Sequence, residues 1–220
     1  MRARAAAPAA GSLTPRQRKV VLWALFAGVF IGTFDQTFVV TLLPEMMSDL
    51  GVSADRLGDA TWIINGYLIG YVLALPVFGR AADVYGRLRV YMLATAVEIL
   101  GTAAVALAPN LEVATVARAV SAIGGGALVP IGLSIAASLV PEKRRPLVLG
   151  VLLAGQNASS LVGPLWGAGL SEVFGWRGVF WINIPLMLPV AWAVYITLRH
   201  ERESRRGSRA RAAPLCAGPT

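Results

Sequence analysis

Cysteine and histidine are almost missing: Cys216 and His200 are the single copies in 220 residues. A lone cysteine excludes an intramolecular disulfide framework and a cysteine-based metal cluster. His200 stands among charged residues past the last apolar run and reads as a solvated surface residue. Charge is scarce too, at 15% of the chain, where soluble domains carry about 25%. No G-x-x-x-x-G-K-[ST] phosphate loop occurs, since the Gly-Gly-Gly at 124–126 has no lysine after it, so ATP-driven work by this chain is not expected. There is no H-E-x-x-H pair and no nucleophile-and-base set, which argues against a metalloprotease or an intramembrane hydrolase. Neither enzymatic activity nor a bound cofactor or metal is expected.

What the chain has in abundance is apolar surface. Hydrophobic residues make up 56% of it and the mean hydropathy is +0.63, the composition of a membrane protein. A hydrocarbon core about 30 Å thick needs roughly 20 apolar residues per helical crossing. Six runs meet that length: 20–43, 60–78, 90–108, 113–139, 147–170 and 178–198. They are too long and too evenly apolar for the period-two strands of a barrel, and backbone groups in lipid must be satisfied within the segment, so all six are predicted to be helices. The first run follows basic residues, as a signal peptide would, but it exceeds the length of an h-region and has no A-x-A site, so it reads as a retained helix. The expected organisation is a basic N-terminal segment (1–19), a transmembrane bundle (20–198) and a disordered basic tail (199–220) resting on anionic lipid.

The net charge of +8 does not point to nucleic acid, because its distribution follows the spans. Of the 20 Lys and Arg residues, 17 fall before the first span, after the second, after the fourth and beyond the sixth. Arg56 and Arg177 lie on the other side with Glu45, Asp49, Asp55, Asp59, Glu112 and Glu172, and Arg118 lies within a span. By the positive-inside rule both termini are expected in the cytoplasm, and the expected location is a bacterial inner membrane.

Three ionisable groups remain inside the spans: Asp35, Glu98 and Arg118. Each costs about 2.5 to 3.5 kcal/mol at a helix centre on insertion scales, so each needs a partner or water. At about 1.5 Å per residue, Asp35 and Arg118 lie roughly 13 and 8 Å from the outer ends of their helices, at comparable depth. Two readings stay open: a structural pair that locks the first and fourth helices, or a proton or substrate site. Glu98 is open in the same way, between a packing hydrogen bond made in its protonated form and a coupling role. Burial disfavours a charged carboxylate and a guanidinium favours it, so an acid under both influences can load and release a proton. Arginine suits the partner role because it stays charged.

The motifs carry a resemblance. "GRAADVYGRLR", residues 79–89, resembles the loop signature of the major facilitator superfamily, with Gly79, Asp83, Gly86 and Arg87 in register and Arg89 closing the gating loop. "FDQTFVVTLLP", with Asp35, resembles the first-helix segment of its fourteen-helix drug/proton antiporter branch, and "ARAVSAIGGGA", with Arg118, resembles the fourth-helix motif. "GPLWGAG", with Gly163, Pro164 and Gly167, resembles the fifth-helix antiporter motif, and "GWRGVFWINIPL" resembles the opening of the sixth helix. Val40, Val84, Ser121, Ala122 and Ala168 depart from the family pattern.

The resemblance implies an all-α half of that fold, built as two inverted three-helix repeats with the first and fourth helices lining a central cavity. It also implies proton-coupled efflux of drugs or other small molecules, driven by the proton gradient without a cofactor. Asp35, Arg118 and Glu98 would couple protons; Gln36, Asn65, Gln156, Asn157 and Ser160 would line the cavity; Asp83 and Arg87 would form an ionic latch in the gating loop. The implied partners are a small-molecule substrate, protons, the lipid bilayer, and a second transporter half or a copy of this chain. The alternative is a truncated, non-transporting membrane protein or interaction scaffold.

Overall fold

The computed structural model describes residues 14–52 and 57–212, and all of its regular structure is helical. The helices are α1 (Pro15–Asp49), α2 (Leu57–Tyr85), α3 (Arg87–Ala106) and α4 (Leu111–Leu139), followed by a 3-10 turn (Glu142–Arg144) and a helical run from Arg145 to Ala212. That run is broken at Gly175, whose backbone (φ 67°, ψ 169°) is not helical, giving α5 (145–174) and α6 (176–212). Five helical runs are long and apolar enough to cross a membrane, and the last of them holds both α5 and α6. The expected six helices are therefore present.

Local chemistry sets the boundaries. Thr14 and Gln17 form a reciprocal capping box at the start of α1, and the Asn110 side chain accepts the Val113 N–H at 2.9 Å to start α4, each satisfying donors that a helix start leaves free. Gly86, at φ 91°, makes the turn between α2 and α3, a conformation in which a Cβ is strained. Gly175 does the same between α5 and α6. Gly175→Ala is expected to cost about 1 to 2 kcal/mol, read as a lowered thermal midpoint in detergent.

The helices outrun the apolar stretches at several ends, because polar residues at the interface still continue backbone hydrogen bonding. The correction is largest at the end of the chain. A disordered tail was expected from residue 199, but α6 continues to Ala212. The reason is visible in composition: no proline occurs between Pro189 and Pro214, and Glu and Arg are good helix formers. The rest of the proposed tail (213–220), most of the basic N-terminal segment (1–13) and residues 53–56 lie outside the described residues.

Packing follows the glycines. A Cβ at Gly163 or Gly167 of α5 would run into Thr37 or Phe38 of α1. On the other side, a Cβ at Gly70 of α2 would lie 2.5 Å from the Ala119 carbonyl oxygen of α4. The α1–α5 and α2–α4 pairs are thus equivalent when α1 is exchanged with α4 and α2 with α5. Each repeat has an odd number of crossings, so the second enters the membrane from the opposite side, which gives the inverted three-helix repeats of this fold.

The core is split in height. One apolar cluster includes Leu25, Ile31, Tyr91, Ala94, Ala127, Leu128 and Met187. The other includes Phe34, Phe38, Ile63, Val105, Ala117 and Phe180. On α3 and α4 the chain between the two clusters carries Glu98 and Arg118, and Asp35 of α1 directly follows Phe34 at the edge of the second cluster.

Candidate functional site: a charged layer between two apolar cores

Asp35, Glu98 and Arg118 come from α1, α3 and α4, and all three are almost fully buried. Arg118 Nη1 donates to Asp35 Oδ2 at 2.6 Å, and Nη2 donates to the Asp35 carbonyl oxygen at 3.1 Å. Asn183 of α6 donates through Nδ2 to Asp35 Oδ1 at 3.3 Å. Tyr67 of α2 lays its ring under the guanidinium, 4.4 Å from Cζ to centroid, and Phe180 flanks it at 5.7 Å. The predicted α1–α4 charge pair is formed, and its neighbours supply the hydrogen bond and cation–π contact that a desolvated pair requires.

Glu98 stands apart. Both its carboxyl oxygens are buried without a hydrogen-bond partner, as are Tyr67 Oη and Arg118 Nε. These are the only such side-chain atoms among the described residues. Gly32 and Gly125 leave the space around the carboxyl: a Cβ on Gly125 would lie 3.3 Å from both Glu98 Oε1 and Tyr67 Oη, and one on Gly32 would lie 3.6 Å from Oε1.

The layer meets two openings. A cleft of about 430 Å³ is lined by Gln36, Thr37, Tyr67, Arg118, Ser160 and Pro164. A second, apolar groove of about 460 Å³ runs between α1, α5 and α6, lined by Trp23, Phe26, Phe30, Phe34, Trp166 and Asn183. The aromatic rings of α1 follow one another along it with centroids 5.7 to 6.3 Å apart, because positions three and four apart share a helix face. Asn183 belongs to both the groove and the Asp35 site.

The structure sorts the expected cavity residues. Gln36 and Ser160 line the cleft. Asn65 is exposed and is not among the cleft residues. Asn157 donates to the Leu153 carbonyl of its own helix at 2.8 Å, and the Gln156 carbonyl accepts the Ser159 hydroxyl at 2.6 Å. Asn157 thus satisfies its side chain on its own backbone, as a polar residue within a helix can, and Asn65, Gln156 and Asn157 do not line this cleft.

In the gating loop, Gly86 takes the conformation that its place in the motif suggests, and Arg89 is exposed. A Cβ on Gly79 would meet nothing within 4 Å, so close packing does not require that glycine. The expected Asp83–Arg87 latch is not formed. Arg87 instead donates to the Ser134 carbonyl of α4 at 3.1 Å, because the turn at Gly86 aims it at the neighbouring helix end. Pro164 lines the cleft, while Gly163 and Gly167 serve the α1–α5 contact.

Three features escaped sequence reasoning. Asn183 is a polar position inside an apolar run and is the asparagine of the sixth-helix motif, which was signal enough to mark it. Tyr67 belongs to none of the motifs and carries no charge that would mark it. The third is a clasp at the acidic end: Asp49 accepts from Arg177 and from Trp176 Nε1, Glu45 accepts the Trp176 N–H at 3.0 Å, and Arg177 Nη2 reaches the Ala108 carbonyl. It ties α1, α6 and the end of α3 together, and a pair this exposed contributes no more than about 1 kcal/mol.

Comparison with known proteins agrees with this geometry. The family model described as Major Facilitator Superfamily matches residues 25–217. A triacylglyceride transporter of Mycolicibacterium hassiacum is 35% identical over 189 residues, covering 84% of this chain and 35% of that protein. The triacylglyceride transporter of Mycobacterium tuberculosis strain H37Rv is 34% identical over 192 residues, covering 85% of this chain and 37% of its own length. The chain thus spans about a third of the length of these curated relatives. Among solved structures, a bacterial homologue of the human lysosomal transporter Spinster, inward-facing and unoccupied, superposes with a TM-score of 0.70 at 23% identity, covering 84% of this chain and 44% of that one. A human organic anion transporter gives 0.65 at 19% identity, covering 84% and 48%.

Proposed function

Because this chain belongs to the major facilitator superfamily of membrane transporters, we propose that its six helices form one half of a proton-coupled exporter of apolar, lipid-like small molecules. The observation that carries the reading is a salt-bridged pair, Asp35–Arg118, buried inside the bundle and yet bordering an open cleft through Arg118. A charge pair kept only for packing has no need of a cleft beside it, whereas a coupling site must reach both substrate space and protons.

The substrate class follows from the lining. Asp35 is committed to Arg118 and Asn183, and neither Asp35 nor Glu98 is among the residues lining the cleft, so the cleft offers no carboxyl to a cationic drug. The aromatic groove suits acyl chains, and the curated relatives carry the name triacylglyceride transporter. Drug efflux, which the antiporter-like motifs imply, is the competing substrate class. In this reading the protein sits in a bacterial inner membrane with its basic helix ends toward the cytoplasm, and a second six-helix half faces the cleft.

Proteoliposomes holding this chain with a second half taken from a mycobacterial relative test the proposal. Under an imposed proton gradient they are expected to export a fluorescent acylglycerol, and Asp35→Asn is expected to abolish the flux. Flux that persists in Asp35→Asn overturns the coupling assignment. Export of cationic dyes without acylglycerol export overturns the substrate class, and no flux of either overturns the transporter reading.

A further inference from the structure

We infer that Glu98, and not Asp35, is the residue that carries the exchangeable proton, with Arg118 handed from Asp35 to Glu98 when that proton leaves. The inference rests on the proton-coupled reading above and assigns the proton to one atom set within it. It begins from an asymmetry. Asp35 accepts from two guanidinium nitrogens and one amide, counting its own carbonyl, whereas the Glu98 carboxyl accepts from nothing. An ionised carboxylate cannot stay buried without a counterion or donors. A neutral carboxylic acid can, and the vacant shelf made by Gly32 and Gly125 leaves it room to turn.

The unused polar atoms around it form a matched set. Arg118 spends Nη1 and Nη2 on Asp35 but keeps Nε–H free, and Tyr67 keeps its hydroxyl free. Two donors are therefore held in reserve for two acceptor oxygens. The titratable and charged groups acting on Glu98 are Asp35 on α1, Tyr67 on α2, Tyr91 on its own helix and Arg118 on α4, while α6 brings only the neutral Asn183.

The step balances. The O–H bond of Glu98 breaks and its proton passes to water in the cleft that Tyr67 and Arg118 line. The new carboxylate accepts from Arg118 and from the Tyr67 hydroxyl. The layer changes from neutral (Asp35 negative, Arg118 positive, Glu98 neutral) to a net charge of minus one. Arg118 is drawn away from α1 toward α3, and Asn183 remains on Asp35. Since Asn183 also lines the aromatic groove, the move reports to the side from which an acyl chain would enter.

Infrared difference spectroscopy of the chain in lipid reads the proton without any transport assay. Wild type at neutral pH is expected to show the protonated-carboxyl stretch, shifted by deuterium exchange, and Glu98→Gln is expected to lose it. Asp35→Asn is expected to lose it as well, although Glu98 is still present, because a released Arg118 ionises Glu98. No such band in wild type, or its persistence in Glu98→Gln, overturns the assignment. Persistence in Asp35→Asn overturns the handover. Because Glu98→Gln keeps size and polarity, its fold is checked by an unchanged helical signal. A band that behaves as expected in a chain that exports nothing would leave the proton site standing and remove the transporter reading.

Discussion

Asp35→Asn is expected to destabilise the helix bundle, but by less than the cost of about 3 to 5 kcal/mol for a buried charge left wholly without a partner, because the released Arg118 gains Glu98 as its counterion. Arg118 is 1% exposed and cannot snorkel to an interface from inside the bundle. Asparagine retains one carbonyl acceptor for Nη1 but removes the counter-charge. The companion variant separates stability from function. Asp35→Asn combined with Arg118→Gln removes both charges while keeping a hydrogen-bonding pair, so stability is expected to recover most of the loss, since neutral replacements of buried pairs are often close to neutral overall. Transport is not expected to recover. Thermal unfolding in detergent followed by tryptophan fluorescence measures the first effect, and flux in proteoliposomes the second. A double variant no more stable than Asp35→Asn alone would show that the cost lies in packing around Asp35 and not in charge.

Gly124→Val is expected to separate α3 from α4, costing about 3 kcal/mol or more as an overpacked contact with no flexible neighbour. A Cβ at Gly124 would lie 2.5 Å from the Ala94 carbonyl oxygen and 2.8 Å from Glu98 Cα, both backbone positions, and so neither can rotate away. Across the same interface, Gly101 faces the backbone and side chain of Ser121. Helices in lipid associate largely through such close van der Waals contact, because lipid tails are as apolar as the side chains. The contact also fixes the height of Glu98 against Arg118, so separation should disturb the charged layer too. Loss of folded, monodisperse protein in detergent checks the expectation; Gly79→Val, at a glycine with open space around it, is the control expected to fold.

Much of the bundle was legible without coordinates. The number of helices follows from run length against membrane thickness. That Asp35, Glu98 and Arg118 need partners follows from the cost of charge in hydrocarbon, and the partner of Asp35 follows from matching depths. Ends and facings were less legible. Helix ends depend on interfacial polar residues that hydropathy does not count, which is why α6 extends past residue 199. Facing was not legible for Asn65 and Asn157, because a helix apolar on all sides carries no stripe to mark its inner face.

The sequence alone determined the solvent, the six crossings, the charge asymmetry between the two ends and the presence of three costly ionisable residues, since each is a property of composition or spacing along one helix. Only the tertiary structure decided how those residues are used. It gave Asn183 to Asp35 across 148 residues of chain, turned Arg87 to Ser134 instead of Asp83, and left the Glu98 carboxyl and the Arg118 Nε–H both buried without a hydrogen bond. The reason is physical: hydrogen bonds and ion pairs depend on ångström-scale positions set by glycine-to-backbone contacts between helices distant in sequence, and no pattern within a single helix records them.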